Sequence, residues 1–177
     1  MSGAPARPVL RYHGGKWRLA PRIVALMPRH RVYVEPYCGA ASVLLRKPRA
    51  YAEVINDLDG RIVSLFRVLR EPDAARRLAE LLTLTPFARC EFEDSYREVD
   101  DPVEAARRLI IRSFMGFGAN GINEDIKTGF RANSNRSGTT PAHDWMNYPG
   151  ALAAVTERLL GVIVEHRDAL EVMAAHD

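Results

Sequence analysis

Two cysteines in 177 residues, Cys38 and Cys90, are too few and too far apart for a disulfide framework. Neither belongs to a Cys-x-x-Cys pair, so a zinc site is not expected and both read as thiols of a reducing compartment. No apolar run is long enough to span a membrane, and the opening Met-Ser-Gly-Ala-Pro-Ala-Arg-Pro has no apolar secretory core. The expected location is cytoplasmic, with no membrane partner. Acids are absent before Glu35, where every charge is basic: Arg7, Arg11, Lys16, Arg18, Arg22, Arg29 and Arg31. Two readings of that segment stand, a solvated basic face and a surface turned toward phosphates. Adjacent prolines are also missing, since no two of the 11 are neighbours.

What is present is ordinary for a soluble chain with one sizeable core: 47% hydrophobic and 27% charged residues. The net charge of +3 does not by itself demonstrate a nucleic-acid partner.

The chain is organised around Val32 to Ser42, Val-Tyr-Val-Glu-Pro-Tyr-Cys-Gly-Ala-Ala-Ser. A short β-rich run ends in an acid and a proline, then passes Gly39 into a helical segment from Val43 to Arg46. A glycine with small neighbours lets backbone approach a ligand, and the adjacent helix start offers free N–H groups. The stretch fits a nucleotide-type cofactor site or an ordinary strand-to-helix turn. Upstream, Arg11-Tyr12-His13-Gly14-Gly15-Lys16-Trp17 precedes a helical pattern. A phosphate loop is excluded, because it needs glycine where Leu10 stands and Ser or Thr where Trp17 stands. A ring, a flexible backbone and a cation remain, a set suited to a ligand with a flat base and a carboxylate.

Downstream, Tyr51 to Ile55 reads as a second strand, followed by Asn56-Asp57-Leu58-Asp59 and a helix that stops at Glu71-Pro72. Asp57 suits a ribose hydroxyl or a helix N-cap. Ala74 to Leu82, Phe87 to Tyr96 and Val103 to Met115 read as successive helices separated by proline-containing breaks. Gly116 to Asn147 has no period and is rich in Gly, Asn, Ser, Thr and Arg. It suits a DNA-reading hairpin or loop, or a plain surface loop. A helix from Tyr148 to Leu160, a strand from Val162 to Glu165 and a short helix opened by Asp168 close the chain.

In this order, Tyr12-His13-Gly14-Gly15-Lys16, Val34-Glu35-Pro36-Tyr37-Cys38-Gly39-Ala40-Ala41-Ser42 and Asn56-Asp57 resemble the Dam-type (D12 class) DNA adenine-N6 methyltransferases. The helical stretch followed by Phe114-Met115-Gly116-Phe117-Gly118 and Thr128-Gly129-Phe130-Arg131 looks like their target-recognition region. The resemblance implies an α/β fold, a partial Rossmann-like methyltransferase sheet of three strands with a helical target-recognition insertion. It divides the chain into a cofactor-binding part (1–72), the insertion with its recognition loop (73–147) and a return to the first part (148–177). The implied cofactor is S-adenosylmethionine, contacted by Tyr12, Gly14, Gly15, Lys16, Glu35, Pro36, Cys38, Gly39, Ala40 and Ser42. Asp57 is then assigned to the ribose and Asp168 to the adenine, although Asp168 also suits a helix cap. The implied partner is double-stranded DNA, met by Asn120, Lys127, Arg131, Asn133, Asn135 and Arg136.

One departure bears on activity. The family's catalytic Asp or Asn, two prolines and an aromatic do not occur in these residues, so no catalytic residue is assigned. The expectation is an incomplete methyltransferase that needs further chain or a second polypeptide. The alternatives are a non-catalytic DNA-binding or cofactor-binding module derived from such an enzyme, and an unrelated α/β nucleotide-binding protein.

Overall fold

Three short strands, β1 (Val32–Glu35), β2 (Ala52–Asn56) and β3 (Ile163–Glu165), run parallel in the order β1-β2-β3. They belong to a computed structural model that describes residues 4–118, 122, 127–132 and 138–176. Val34 aligns with Val54 and Val54 with Ile163, while Glu35 pairs with Ile55 and Ile55 with Val164. The carboxyl ends of the strands therefore finish level with one another.

Parallel neighbours require crossovers. The first contains α2 (Ser42–Arg46), and the second runs from Asp57 to Val162 through α3 (Gly60–Arg70), α4 (Pro72–Leu84), α5 (Arg89–Asp94), α6 (Pro102–Met115), α7 (Pro141–Met146) and α8 (Leu152–Leu159). A short α1 (Ala20–Ala25) precedes the sheet and α9 (Ala169–Ala175) follows it. No described helix is long and apolar enough to cross a membrane.

The helices start where acids can receive their free N–H groups. Asp59 caps α3, Glu71 caps α4 and Asp101 caps α6, the last two followed by proline at the first position. Glu71 serves twice, since its own N–H closes α3 on Val68. The centre of the core is α3, whose Ile62, Leu65, Phe66 and Leu69 are fully buried against α4, α6 and α8. Burial of each such side chain stabilises the fold by about 1.5–3 kcal/mol.

Within 116–147, the stretch expected to lack regular structure, the described residues include a helix and a β-bridge. Thr140 caps α7, Pro141 begins it, and Trp145 is buried with its indole N–H donating to Thr85 O at 2.8 Å. Tertiary burial of one aromatic organises a helix too short to show a period. Gly116 and Phe130 form an antiparallel bridge, and Phe130 packs on Phe87 and Phe92. The helix expected from Tyr148 divides at Pro149 and Gly150 into a 3-10 turn and α8.

An ion triad fixes the far end of β2. The buried Glu53 carboxylate receives Lys47 Nζ at 2.8 Å and both Arg158 terminal nitrogens, at 2.6 and 2.9 Å. Burial opposes its charge, but the donors from Arg158 and Lys47 prevail and hold its pKa at about 2. A carboxyl depressed in the folded state stabilises above its unfolded pKa, and that contribution disappears as pH falls through about 2. Glu53→Gln leaves two cations buried without a counter-charge and is expected to cost about 3–5 kcal/mol at pH 7. Urea unfolding at pH 7 and pH 3 should show the difference from wild type shrinking at the lower pH. A difference below about 0.5 kcal/mol at pH 7 would contradict the role.

Candidate functional site

The level strand ends place three chain segments side by side. Asn56, the last residue of β2 and 1% exposed, donates through its side-chain amide to Pro36 O at 2.9 Å and Arg167 O at 3.0 Å. Its side-chain oxygen accepts from Arg167 N–H at 2.9 Å, and its backbone carbonyl accepts from Cys38 N–H, also at 2.9 Å. One buried amide thus joins the turn after β1 to the turn after β3.

The turn after β1 is tight. Gly39 and Ala41 both take φ of +47°, in the left-handed region, and Ala41 N–H donates to Cys38 O at 2.7 Å. Gly39 N–H donates to Asp57 Oδ2 at 2.8 Å, while Asp57 Oδ1 accepts from Asp59 N–H at 3.0 Å. The Tyr12 ring lies flat enough on the turn that a Cβ added to Gly39 would come within 2.9 Å of Tyr12 Cε1. Glycine is needed here for conformation and for contact.

Tyr12 opens the second wall. Gly15 N–H returns to Tyr12 O at 2.9 Å, Gly14 takes a φ of +72°, and Lys16 Nζ folds back onto Gly14 O. This loop is held from behind by the helical region. Arg11 N–H donates to Ser113 Oγ at 2.6 Å, Tyr148 OH donates to Val9 O at 2.6 Å, and Arg7 and Arg11 both pair with Asp144 on α7.

Glu35, at the end of β1, supplies what α2 lacks. The N-cap Ala41 has no side-chain acceptor, and Glu35 Oε2 instead receives Leu44 N–H and Tyr33 OH, each at 3.1 Å. Burial pushes the Glu35 pKa up to about 7, against the pull of those donors. Near neutral pH this carboxyl is poised between acceptor and donor. Burial, reinforced by Asp57, also raises the Cys38 thiol, which makes it an inert wall rather than a nucleophile. Tyr12 is raised by burial first and by Asp57 and Asp59 next.

These segments enclose a cavity of about 360 Å³, within the usual range for small-ligand sites. Of the residues expected at the cofactor, Tyr12, Gly14, Gly15, Lys16, Glu35, Cys38, Gly39, Ala40, Ser42 and Asp57 line it. Pro36 and Asp168 do not. Pro36 contributes its carbonyl to Asn56, and the Asp168 carboxylate caps α9, accepting from Leu170 and Glu171 N–H. His13 and Tyr37 line the cavity without having been singled out, although both lie inside the motifs quoted above. Asn56 went unassigned because only the fold shows which turns its amide joins. Lys16 and Asp57 give the cavity a cation and an anion, suited to a zwitterion with hydroxyl donors.

Of the residues expected at DNA, Lys127 and Arg131 do not line the cavity. Lys127 is exposed, with Nζ 5.4 Å from the Tyr96 ring centroid. Arg131 is half-buried, and its Nη1 has no hydrogen-bond partner among the described residues. Asn120, Asn133, Asn135 and Arg136 fall outside the described residues.

The family model described as "D12 class N6 adenine-specific DNA methyltransferase" matches residues 12–115, which include the whole cavity lining. The chain belongs to that family. A type II methyltransferase, M1.LlaDCHI of Lactococcus lactis subsp. cremoris, is 33% identical over 78 residues, which are 44% of this chain and 26% of that protein. The D12 match ends at Met115, before the segment 127–132 and before β3.

Gly39→Ala places an alanine in the left-handed region and against the Tyr12 ring. The expected cost is about 2–4 kcal/mol, from strain and overpacking together. In a Tyr12→Ala background the same substitution should cost at least about 1 kcal/mol less, which a double-mutant cycle in urea would measure. Equal costs in both backgrounds would mean that the ring does not rest on the turn.

Proposed function

We propose that this chain supplies the S-adenosylmethionine site and part of the DNA-recognition surface of an enzyme that methylates the exocyclic amino group of adenine. The observation that carries this reading is the cavity: residues 12–16, 35–42 and 57 meet at the carboxyl ends of parallel strands, where α/β sheets bind nucleotide cofactors. The sheet is then read as part of a Rossmann-like methyltransferase fold. Residues 1–72 form its cofactor part, 73–147 the recognition insertion, and 148–177 the return.

The lining fits the cofactor's chemistry. Lys16 offers a cation to the amino-acid carboxylate, and Tyr12 a ring against the turn that wraps the ligand. Asp57 spends two of its roughly four lone-pair positions on Gly39 and Asp59, which leaves two for ribose hydroxyls. Asp168, three residues after β3, spends Oδ1 on the cap of α9 and is proposed to turn Oδ2 to the amino group of the cofactor's adenine. Bound there, S-adenosylmethionine supplies an electrophilic methyl group on its sulfonium.

Transfer to adenine needs more than a cofactor. The amino lone pair is delocalised into the ring, so attack requires an acceptor for the amino protons and a ring against the flipped base. The Asp/Asn-Pro-Pro-aromatic motif that serves both ends is absent from these 177 residues. Further chain or a second polypeptide is proposed to bring it. The same absence favours one other reading, a cofactor- or DNA-binding module without catalysis. The proposed location is the cytoplasm.

Calorimetry with S-adenosylmethionine is the direct test. The chain should bind it, and Asp57→Ala or Lys16→Ala should each weaken binding about 10- to 100-fold. Absence of binding by the folded wild type would overturn the reading. With tritiated cofactor and unmethylated duplex, this chain alone should place no label on adenine. Label at about 1 s⁻¹ or faster would show that the acceptor lies within these residues.

A further inference from the structure

Charge in this chain is divided along the sequence. The first 52 residues hold ten of the 25 Lys and Arg but one of the 22 Asp and Glu, the half-buried Glu35. That segment carries +9 and the remaining 125 residues carry −6. A near-neutral whole conceals a strongly cationic part.

The fold sorts these ten cations into two groups. Arg7 and Arg11 pair with Asp144, Lys47 pairs with Glu53, Arg49 donates to Glu157 O and Leu160 O, and Lys16 folds onto Gly14 O. Arg18, Arg22, Arg29, Arg31 and Arg46 remain, all exposed, with no carboxylate at ion-pair distance among the described residues. Arg18 precedes α1 and Arg22 lies on it, one helical turn apart. Arg46, the last residue of α2, stacks on Trp17 with Cζ 4.9 Å from the ring centroid, and α1 packs on α2. These three cations therefore lie on or beside two elements packed against each other. Arg29 and Arg31 follow in the α1–β1 loop, Arg31 lying over the Tyr51 ring at 4.7 Å.

Protein surfaces usually intersperse both signs, because a block of like charge repels itself. Five uncompensated guanidinium groups on packed elements therefore favour a polyanion as partner, and duplex DNA carries a phosphate charge about every 1.7 Å of its axis. The other cation-rich region contrasts with this one: at the cleft between α5 and α6, Arg97 and Arg108 already pair with Asp94 and Glu104. Resting on the methyltransferase reading above, we infer that the acid-free face of α1, the α1–β1 loop and the end of α2 binds the duplex backbone independently of sequence. Arg18, Arg22 and Arg46 are its centre. This face adjoins the cofactor cavity through Lys16, two residues before Arg18, and leaves sequence reading to the insertion.

The test is fluorescence anisotropy of the full chain against two duplexes of unrelated sequence over a salt series. In the triple variant Arg18→Gln, Arg22→Gln, Arg46→Gln, the slope of log affinity against log salt should fall by about 2.7. Affinity at 0.1 M salt should drop about eightfold per contact, equally for both duplexes. The corresponding triple lysine variant should keep most of the slope, and all three proteins should remain folded, melting within a few degrees of one another. Wild-type affinity and slope in the glutamine variant, with binding lost instead on replacing Lys127 and Arg131, would overturn this inference and leave the methyltransferase reading standing. Failure of the wild type to bind either duplex would overturn both. Binding to phosphatidylserine vesicles but not to duplex, through the same arginines, would also overturn both, assigning the face to a membrane.

Discussion

A single buried amide carries the geometry of the site. Asn56 sits at the carboxyl end of the central strand with its side chain out of water, so each polar atom left unpaired there would cost about 1–3 kcal/mol. It spends both N–H groups on the carbonyls of Pro36 and Arg167 and its oxygen on Arg167 N–H. The turns after β1 and β3 cannot shift independently while those bonds hold. The next residue, Asp57, fixes Gly39 from the same position on the chain. Two adjacent residues of β2 and its exit thereby set the wall of the cavity.

The opposite wall depends on the helices. Residues 7–12 run as a strap beneath α6 and α7, tied by Asp144, Ser113 and Tyr148, and they end in the Tyr12 ring that lies on Gly39. Phe114 and Tyr148 also face the guanidinium of Arg7, at 5.7 and 5.4 Å. The helical segment and the cavity are therefore one mechanical unit. A change in how α7 sits would reach Tyr12 through the Arg7 and Arg11 pairs with Asp144. The D12 match, from Tyr12 to Met115, takes in the cavity lining and α6.

Much of this was legible in the sequence where the signal is local. The β-rich run before Glu35, the glycine turn and the apolar period of α3 each announce their element within a few residues, and the cavity lining falls inside the quoted motifs. Long-range polar pairings were not legible. Glu53 meets Arg158 at a separation of 105 residues and Asn56 meets Arg167 at 111, and no spacing rule reaches across a crossover of that length. The helix α7 was hidden for a related reason, since its stability comes from the burial of Trp145 rather than from a period. Asp57 and Asp168 each suited a ligand or a cap. In the fold Asp168 caps α9 outside the cavity lining, and Asp57 stands in the cavity wall while Asp59 takes the cap of α3.

The central claim is that residues 12–16, 35–42 and 57 act as one cofactor site. Amide hydrogen exchange with and without saturating S-adenosylmethionine tests it most directly, because ordering by a ligand slows local opening. The account expects slowed exchange in peptides covering residues 12–16, 38–44 and 57–59, with α4 unchanged. Unaltered exchange in all three segments at saturating cofactor, or protection confined to the α5–α6 region, would contradict it.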